Sequence, residues 1–550
     1  MTAEMQYDTG TPPAAVPTAG RPWTRRPALA ALPVYALAVT LTFANTPDDG
    51  FITLRIADNL IHHGRPDFNF GDAVEGYSSP LHLLLSAVVA LLPAAYTGLA
   101  LKLIGVVFGA LTLWPAARIA RNCGLGPRGV LLSTLMVAVS WNFAASSSNL
   151  LESSLTAFLL TGLLASLTAA PYRHAAVWSG LLVLARPESV LVVGVLTCGW
   201  LFWSRADGSR TVRWFVAPVA AAAVVFGHRL IYFGELMPNT YHAKDVSLSE
   251  SLIWGLGYVI DSHPWAGTSN VLVLLTLTVQ FVLFIVAANA WRRTSPLLLL
   301  LPLAILVQVA FILRSGGDWM FGARHWAPVV PAMAVIAVVA VRACTHALAA
   351  RSRASRPAAV GSVLMGLVLL LQAGPGLHTY HPAWLLDGVD NRDLIAVGGY
   401  GPYSQSWITS TEMTSCLPTG TVIAFSEIGY FGYTNRELRV IDTRGLTDNQ
   451  IAGNAGPSLK LRTGVHDPHW FDTDSVVGAA LIDRDPDILL VLPTADPHAD
   501  ELGPQPPTAL GGRYTRIRSR EVLDPDGTGS LTLTVYARTG SPDYPCLRTE

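Results

Sequence analysis

The chain is predicted to be a polytopic α-helical membrane protein that ends in a soluble mixed α/β domain, on three observations. Hydrophobic residues make up 51% of the 550 positions and charged ones only 14%, and the mean hydropathy of +0.40 is too high for an ordinary soluble protein of this size. The arginines cluster in short loops between apolar runs, as the positive-inside rule requires of cytoplasmic loops. Beyond residue 377 the apolar runs stop, and Asp, Pro, Gly and Thr become frequent.

Residues 1–22, rich in Pro, Ala, Thr and Gly without apolar periodicity, are expected to form a disordered cytoplasmic tail. Arg21, Arg25 and Arg26 precede the first apolar run, 27–44, which leads into NTPDD and not into a small-residue cleavage site. It is read as a retained helix entering from the cytoplasm. Further runs lie at 81–95, 99–117, 129–143, 154–170, 175–185, 189–203, 212–231, 270–290, 296–313, 326–341 and 359–376. Arg118, Arg121 and Arg128, then Arg173, Arg205, Arg292 and Arg293, and finally Arg342, Arg353 and Arg356 belong inside. The alternation works if the short run Leu81–Leu92, ending at Pro93, is re-entrant. About eleven crossings follow, with the N-terminus cytoplasmic and the C-terminus outside. Residues 23–376 then form the transmembrane domain and 377–550 an extracytoplasmic one.

In that topology the unusual polar residues gather on the external face. Asp48 and Asp49 stand where the chain leaves the membrane, and adjacent carboxylates there need water, a cation or a substrate hydroxyl to receive them. The helix that follows sets Ile52, Ile56, Leu60 and Ile61 opposite Arg55, Asp58, Asn59 and His62. It is expected to lie in the membrane interface and roof a cavity. Glu75 and Tyr77 come next, then Asn149 and Glu152, Arg186 and Glu188, Glu235 to Asp245 in ELMPNTYHAKD, with Asn239, His242 and Lys244 among them, and Asp318, Trp319, Arg324 and His325 in RSGGDWMFGARHW. Any one of these groups can be a local ion pair or a snorkelling helix end; their convergence on one face marks a site.

The paired acids are oxygen ligands suited to Mg²⁺, Mn²⁺ or Ca²⁺, although nothing in the sequence demands a metal. There is no CxxC pair, no HExxH and no glycine-rich phosphate loop after a strand, which weighs against zinc and against a nucleotide-driven machine. In the C-terminal domain TVIAFSE, LRVID, DILLVL and SLTLTVYA read as strands. Glu427, Tyr430, Tyr433, Asp442 and Asp448 are candidates to face the cavity there, and Trp384, Trp407, Trp470 and Tyr430 offer flat faces for sugar rings. Cys416 and Cys546 are the only cysteines placed outside, as one disulfide requires, with two free thiols as the alternative. Cys123, Cys198 and Cys344 fall in spans or inner loops.

The stretch DDGFITLRIADNLIHHG, continued by FNFGDAVEGYSSPL, with RPE, PNTYHAK and GGDWMFGARHWAP downstream and FSEIGYFGY and RVIDTRGLTD near the end, resembles the integral-membrane glycosyltransferases of the GT-C class. Within that class it is most similar to the terminal β-(1→2)-arabinofuranosyltransferases of actinobacterial cell-wall arabinan. The similarity runs over nearly the whole chain after the tail and departs from the expected pattern at Ser78-Ser79-Pro80, where a Thr or Asn is expected ahead of the proline. The resemblance implies a plasma-membrane enzyme that moves arabinofuranose from a polyprenyl-phosphate donor to a cell-envelope arabinan, with no nucleic-acid partner. In that scheme Asp48 and Asp49 steer or deprotonate the acceptor hydroxyl, while His242, Lys244, Arg324 and His325 receive the lipid phosphate. Arg55, Glu75, Tyr77, Glu152, Arg186, Glu188, Asn239, Asp318 and Trp319 are the expected substrate contacts. The rival readings are a polyprenyl-phosphate-mannose-dependent mannosyltransferase and a transporter or flippase for a lipid-linked sugar.

Overall fold

A computed structural model describes residues 25–169, 174–204, 208–244, 247–261, 270–320, 322–351, 388–397, 400, 402–454, 475–492, 510, 512–523, 530–542 and 544–548. The predicted tail, the predicted run 359–376, the boundary between residues 376 and 377, Arg173, Arg205, Asp245, Arg353, Arg356, Trp384 and Trp470 lie outside the described residues.

The N-terminal part is a bundle of helices: α1 (Arg25–Thr42), α2 (Asp49–His63), α3 (Pro80–Val89), α4 (Thr97–Asn122), α5 (Pro127–Val139), α6 (Trp141–Ser147), α7 (Ser153–Leu167), α8 (Ala175–Ala185), α9 (Ser189–Ser204), α10 (Gly208–His228), α11 (Asn239–His242), α12 (Leu248–Asp261), α13 (Asn270–Thr294), α14 (Leu300–Ser315) and α15 (Val330–Arg351). Helix α1 shows how the sequence sorts its faces. Ala28, Ala31, Tyr35 and Val39, three to four residues apart, are buried, whereas Leu29 and Leu37 are about 60% exposed. An apolar outer face of this kind suits lipid and not water.

Among the described residues three helices are long and apolar enough to cross a membrane: Ala94–Asn122, Val216–Phe233 and Pro296–Ser315. The pair α5 and α6, bent by 60° at Ser140, makes a fourth if counted as one span. The other apolar stretches are 10–17 residues long, two of them inside the 25-residue α13 and the 22-residue α15. Helix α3 has 10 residues, about 15 Å at 1.5 Å per residue, half the thickness of a bilayer's hydrocarbon core. Helix α12 was not expected from apolar runs, because Glu250 and Asp261 interrupt its sequence. Its signal is the cap: Ser247 Oγ accepts from the Glu250 backbone N–H at 3.3 Å, and Glu250 reaches back to Ser247 N at 3.0 Å, the reciprocal arrangement of a capping box.

The C-terminal domain is built on a five-stranded sheet of order β2-β1-β3-β5-β4, with β1 (Val422–Phe425), β2 (Arg439–Asp442), β3 (Ile488–Val491), β4 (Tyr514–Leu523) and β5 (Ser530–Arg538). Strands β1, β2 and β3 run parallel, and β5 and β4 close the other edge antiparallel. The four apolar runs read as strands are β1, β2, β3 and β5. Strand β4, YTRIRSREVL, carries too many charges to be read as a strand, yet it is an edge strand, where charge blocks further pairing. Cys416 and Cys546 are joined by a disulfide that ties the end of helix Pro402–Met413 to helix Pro545–Arg548.

The sheet and the segment that follows α1 share one core. Ile52, Ile56, Phe68, Tyr77 and Leu83 pack in a single apolar cluster with Phe425, Phe431, Val440 and Ile488. Helix α2 is therefore enclosed between the bundle and the C-terminal domain, with Arg55 and Asp58 buried as well as Phe51, Leu54 and Ile56. Arg55 and Asp58 on its polar side are thus turned to protein and not to solvent. Its polar side meets protein: Asp58 pairs with Arg436 at 2.6 Å and Asn59 donates to the Asp67 carbonyl at 2.9 Å.

Candidate active site

The loop from Phe43 to Asp49 joins α1 to α2, and its shape is held from three sides. From α4, the ammonium of Lys102, fully buried, donates to the carbonyls of Phe43 at 2.6 Å and Asn45 at 2.8 Å and lies over the Phe43 ring. From α6, the Ala145 carbonyl accepts from Asn45 Nδ2 at 3.4 Å. From the C-terminal part, the Tyr400 hydroxyl donates to Asn45 Oδ1 at 2.9 Å. Lys102 was not singled out from the sequence, although a lysine inside an apolar 26-residue helix is itself a signal, since an intramembrane cation persists only with partners. Lys102→Met leaves two carbonyls without their donor, at a cost of about 2 kcal/mol. A lower melting temperature in detergent and a kcat reduced about tenfold are expected, and an unchanged pair of values rules out the tether.

The two neighbouring acids have different environments. Asp48 is 4% exposed, and its carboxylate accepts from the backbone N–H groups of Gly429 at 2.7 Å and Tyr430 at 2.6 Å. Burial and the nearby Glu427 carboxylate push Asp48 up to about 8 against the pull of these two donors. With each oxygen accepting one backbone N–H, Asp48 latches the C-terminal domain to the loop between α1 and α2. Asp49, the first residue of α2, makes no hydrogen bond or ion pair among the described residues. Burial raises its pKa above the ordinary carboxylate range, while Lys244 and Arg324 pull it back down.

Lys244, Arg324, Asp318 and Glu427 act electrostatically on Asp49. Asp318 pairs with Arg324, and its Oδ1 accepts from the Trp319 backbone N–H at 2.9 Å. Arg186 bridges Glu152 and Glu188. The His325 ring lies between Tyr258 and Phe311, at 5.7 and 5.4 Å, and burial lowers it to about 3. His325 is thus a neutral imidazole and not the cation expected from the sequence. Burial lowers Lys244, whereas Asp49 and Asp318 support its charge. The Nε2 atom of His242 is buried without a hydrogen-bond partner.

Four other residues expected to contact substrate bond within the protein. Arg55 donates to the carbonyls of Phe68, Gly432 and Leu438 at 2.7–2.8 Å and to Asn69 Oδ1 at 3.4 Å. Glu75 forms a buried ion pair with Arg229 at 2.8 Å, and Tyr77 packs edge-on against Phe233 in the core. Asn239 donates to the carbonyls of Gly445 and Leu446 at 2.6 and 3.0 Å, fixing the loop that follows β2. In that loop Asp442 accepts from Arg444 N and Thr447 N, and Asp448 pairs with Arg484. Tyr433 bonds Thr97, and Tyr430 and Trp407 are buried, so neither ring offers an open face. Glu427 does approach the acids. It accepts from Trp407 Nε1 at 3.2 Å and Arg444 at 3.1 Å.

A cavity of about 270 Å³ opens between α9 and α14. Its lining combines charged and ring groups, Glu152, Arg186, Glu188, Arg314, Arg324 and His325, with an apolar set of Leu191, Val192, Val307, Ala310 and Phe311 and a few small or neutral polar residues. Asp318 is paired with Arg324, and Asp49 has Lys244 and Arg324 for neighbours. Among the described residues no three His, Cys, Asp or Glu side chains are grouped to hold a metal.

Residues 402–538 match a family model described as a domain of unknown function, DUF8728. The chain is similar to terminal β-(1→2)-arabinofuranosyltransferases of Corynebacterium glutamicum, 27% identical over 336 residues, 54% of this chain and 48% of that protein, and of Mycobacterium tuberculosis, 28% identical over 346 residues, 54% of this chain and 52% of that protein. The match thus spans about half the length of these curated relatives. Among solved structures, the Archaeoglobus fulgidus oligosaccharyltransferase AglB in complex with an inhibitory peptide and a dolichol-phosphate aligns with a TM-score of 0.52, 14% identity, 86% of this chain and 70% of that chain. ArnT from Cupriavidus metallidurans bound to undecaprenyl phosphate aligns with a TM-score of 0.50, 15% identity, 93% of this chain and 98% of that chain. The fold is that of the GT-C membrane glycosyltransferases.

Proposed function

We propose that this chain is a membrane glycosyltransferase that moves a sugar, arabinofuranose by its similarity to the curated relatives, from a polyprenyl-phosphate donor to a cell-envelope arabinan acceptor on the external membrane face. The observation that carries the reading is the unpartnered carboxylate of Asp49 under the influence of Arg324, which lines the cavity. The lipid tail of the donor occupies the apolar length between α9 and α14, and its phosphate lies at Arg186 and Arg324, whose guanidinium groups suit phosphate oxygens. Asp49 takes the proton of the attacking acceptor hydroxyl. The new glycosidic C–O bond forms as the bond from the anomeric carbon to the phosphate oxygen breaks, and the charge that grows on the leaving phosphate is met by Arg324 and Lys244.

The test is a donor panel. Purified protein in detergent is incubated with polyprenyl-phosphate arabinofuranose or polyprenyl-phosphate mannose and an arabinan or mannan oligosaccharide, and the products are read by mass spectrometry. Extension of arabinan from the arabinofuranose donor is expected. Turnover of the mannose donor alone replaces the sugar assignment. Failure of both donors, with donor lipid moving across reconstituted vesicles, replaces the enzyme by a flippase.

A further inference from the structure

Trp319 lies in the loop after α14 and is 45% exposed, an unusual position for an indole whose backbone is fixed by a buried ion pair. Its N–H is held by Asp318 Oδ1, and Asp318 is itself paired with Arg324. The Trp319 ring meets Tyr400 at 5.5 Å with the planes 63° apart, and Tyr400 meets Trp407 at 5.8 Å. Three rings from two distant parts of the chain thus form a continuous row that runs from the open surface into the core.

Every ring in the row is tied to the acid site. Trp319 is tied through Asp318, which acts electrostatically on Asp49. Tyr400 donates its hydroxyl proton to Asn45, in the loop that presents Asp49. Trp407 donates to Glu427, whose carboxylate acts on both Asp48 and Asp49. Neither Trp319 nor Tyr400 lines the cavity between α9 and α14, whereas Arg324 does. The aromatic row and the apolar cavity therefore meet at the Asp318–Arg324 pair without overlapping.

We infer that Trp319 and Tyr400 form the platform on which the terminal sugar ring of a neutral oligosaccharide acceptor stacks, with its attacking hydroxyl turned toward Asp49. The platform deepens the transferase reading and rests on it. A furanose or pyranose ring presents C–H groups on one face and hydroxyls at its edge. A partly exposed indole face backed by the Tyr400 ring takes the C–H face of such a ring, while the hydroxyls at its edge stay free for water and for Asp49. The carbonyl and carboxylate atoms that orient Trp319 and Tyr400 also fix how far the stacked ring sits from Asp49.

The experiment compares Trp319→Ala, Trp319→Phe and Tyr400→Phe with the wild type, measuring KM for an arabinofuranosyl oligosaccharide and for the lipid donor separately, and the dissociation constant of the oligosaccharide by calorimetry without donor. Trp319→Ala is expected to raise the acceptor KM and the calorimetric constant about tenfold with donor KM and melting temperature unchanged. Trp319→Phe recovers most of the loss, and Tyr400→Phe, which keeps its ring but loses the bond to Asn45, lowers kcat more than it raises the acceptor KM. An unchanged acceptor KM in Trp319→Ala, or an equal rise in donor KM, overturns the platform. If the wild type turns over no lipid-linked sugar, the transferase reading fails while calorimetry still decides the platform: oligosaccharide binding weakened by Trp319→Ala supports it, and binding that is absent or unaltered overturns it.

Discussion

Asp49→Asn is expected to reduce kcat by about 10³-fold with little change in the melting temperature, because the amide keeps the shape of the carboxyl but cannot take the acceptor proton. Asp49 is the acid that no other described group occupies, so the loss falls on chemistry and not on folding. Its pKa is raised by burial, and a base works only when ionised. Activity is therefore lost as pH falls through that raised value, and the acid limb of kcat/KM lies above the ordinary aspartate range of about 3.9. Lys244 lowers the Asp49 pKa. Lys244→Met removes that cation, raises the pKa further and moves the acid limb to higher pH. An acid limb that stays in place, or moves down, removes Asp49 from the role of base. Asp48→Asn has a different signature, because its amide nitrogen is set against backbone N–H groups at 2.6–2.7 Å; it loosens the domain latch and lowers the melting temperature.

Gly429→Ala is expected to lower stability by about 3 kcal/mol and transfer by about 10²-fold, although the glycine is distant in sequence from the acids it supports. A Cβ built at Gly429 sits 2.0 Å from the Asp48 carbonyl oxygen and 2.6 Å from its Cγ. No rotamer relieves a clash with backbone, so the short helix Gly429–Thr434 has to move off the Asp48 loop and both N–H bonds to the carboxylate are lost. Asp49, one residue on, moves with that loop. Gly453→Ala is the matched control: it lies in helix Asn449–Asn454 with nothing within 4 Å of the added carbon, and it leaves stability and transfer near wild type. Equal behaviour of the two variants in a melting curve and a transfer assay shows that the latch does not set the Asp49 geometry.

Much of the fold is legible in local pattern. Long apolar runs gave the positions of most bundle helices, and alternating or continuous apolar runs gave β1, β2, β3 and β5, because burial on a face imposes its period on the residues nearby. Strand β4 and helix α12 escaped for the same reason: charges on an edge strand and at helix ends break the apolar signal while leaving the backbone hydrogen bonds intact. Lys102 is legible too, as a single cation in a long apolar helix. The group around Asp49 was legible as a set of polar residues on one predicted membrane face, since charges in such segments persist only where they are received.

The sequence by itself determined the apolar or polar character of each segment, the grouping of acids and cations in a few short stretches, and four of the five strands of the sheet. All of these depend on residues within a turn or two of one another. Only the tertiary structure decided which acid is free. The donors that occupy Asp48 come from residues 381 and 382 positions away, and Arg55 donates to carbonyls at Gly432 and Leu438, also nearly 400 positions distant. Asp48 and Asp49 have the same side chain and adjacent positions, so no local property separates them. What separates them is that a helix begins at Asp49 and turns the two carboxylates in different directions, one onto the backbone of Gly429 and Tyr430, the other toward Lys244 and Arg324.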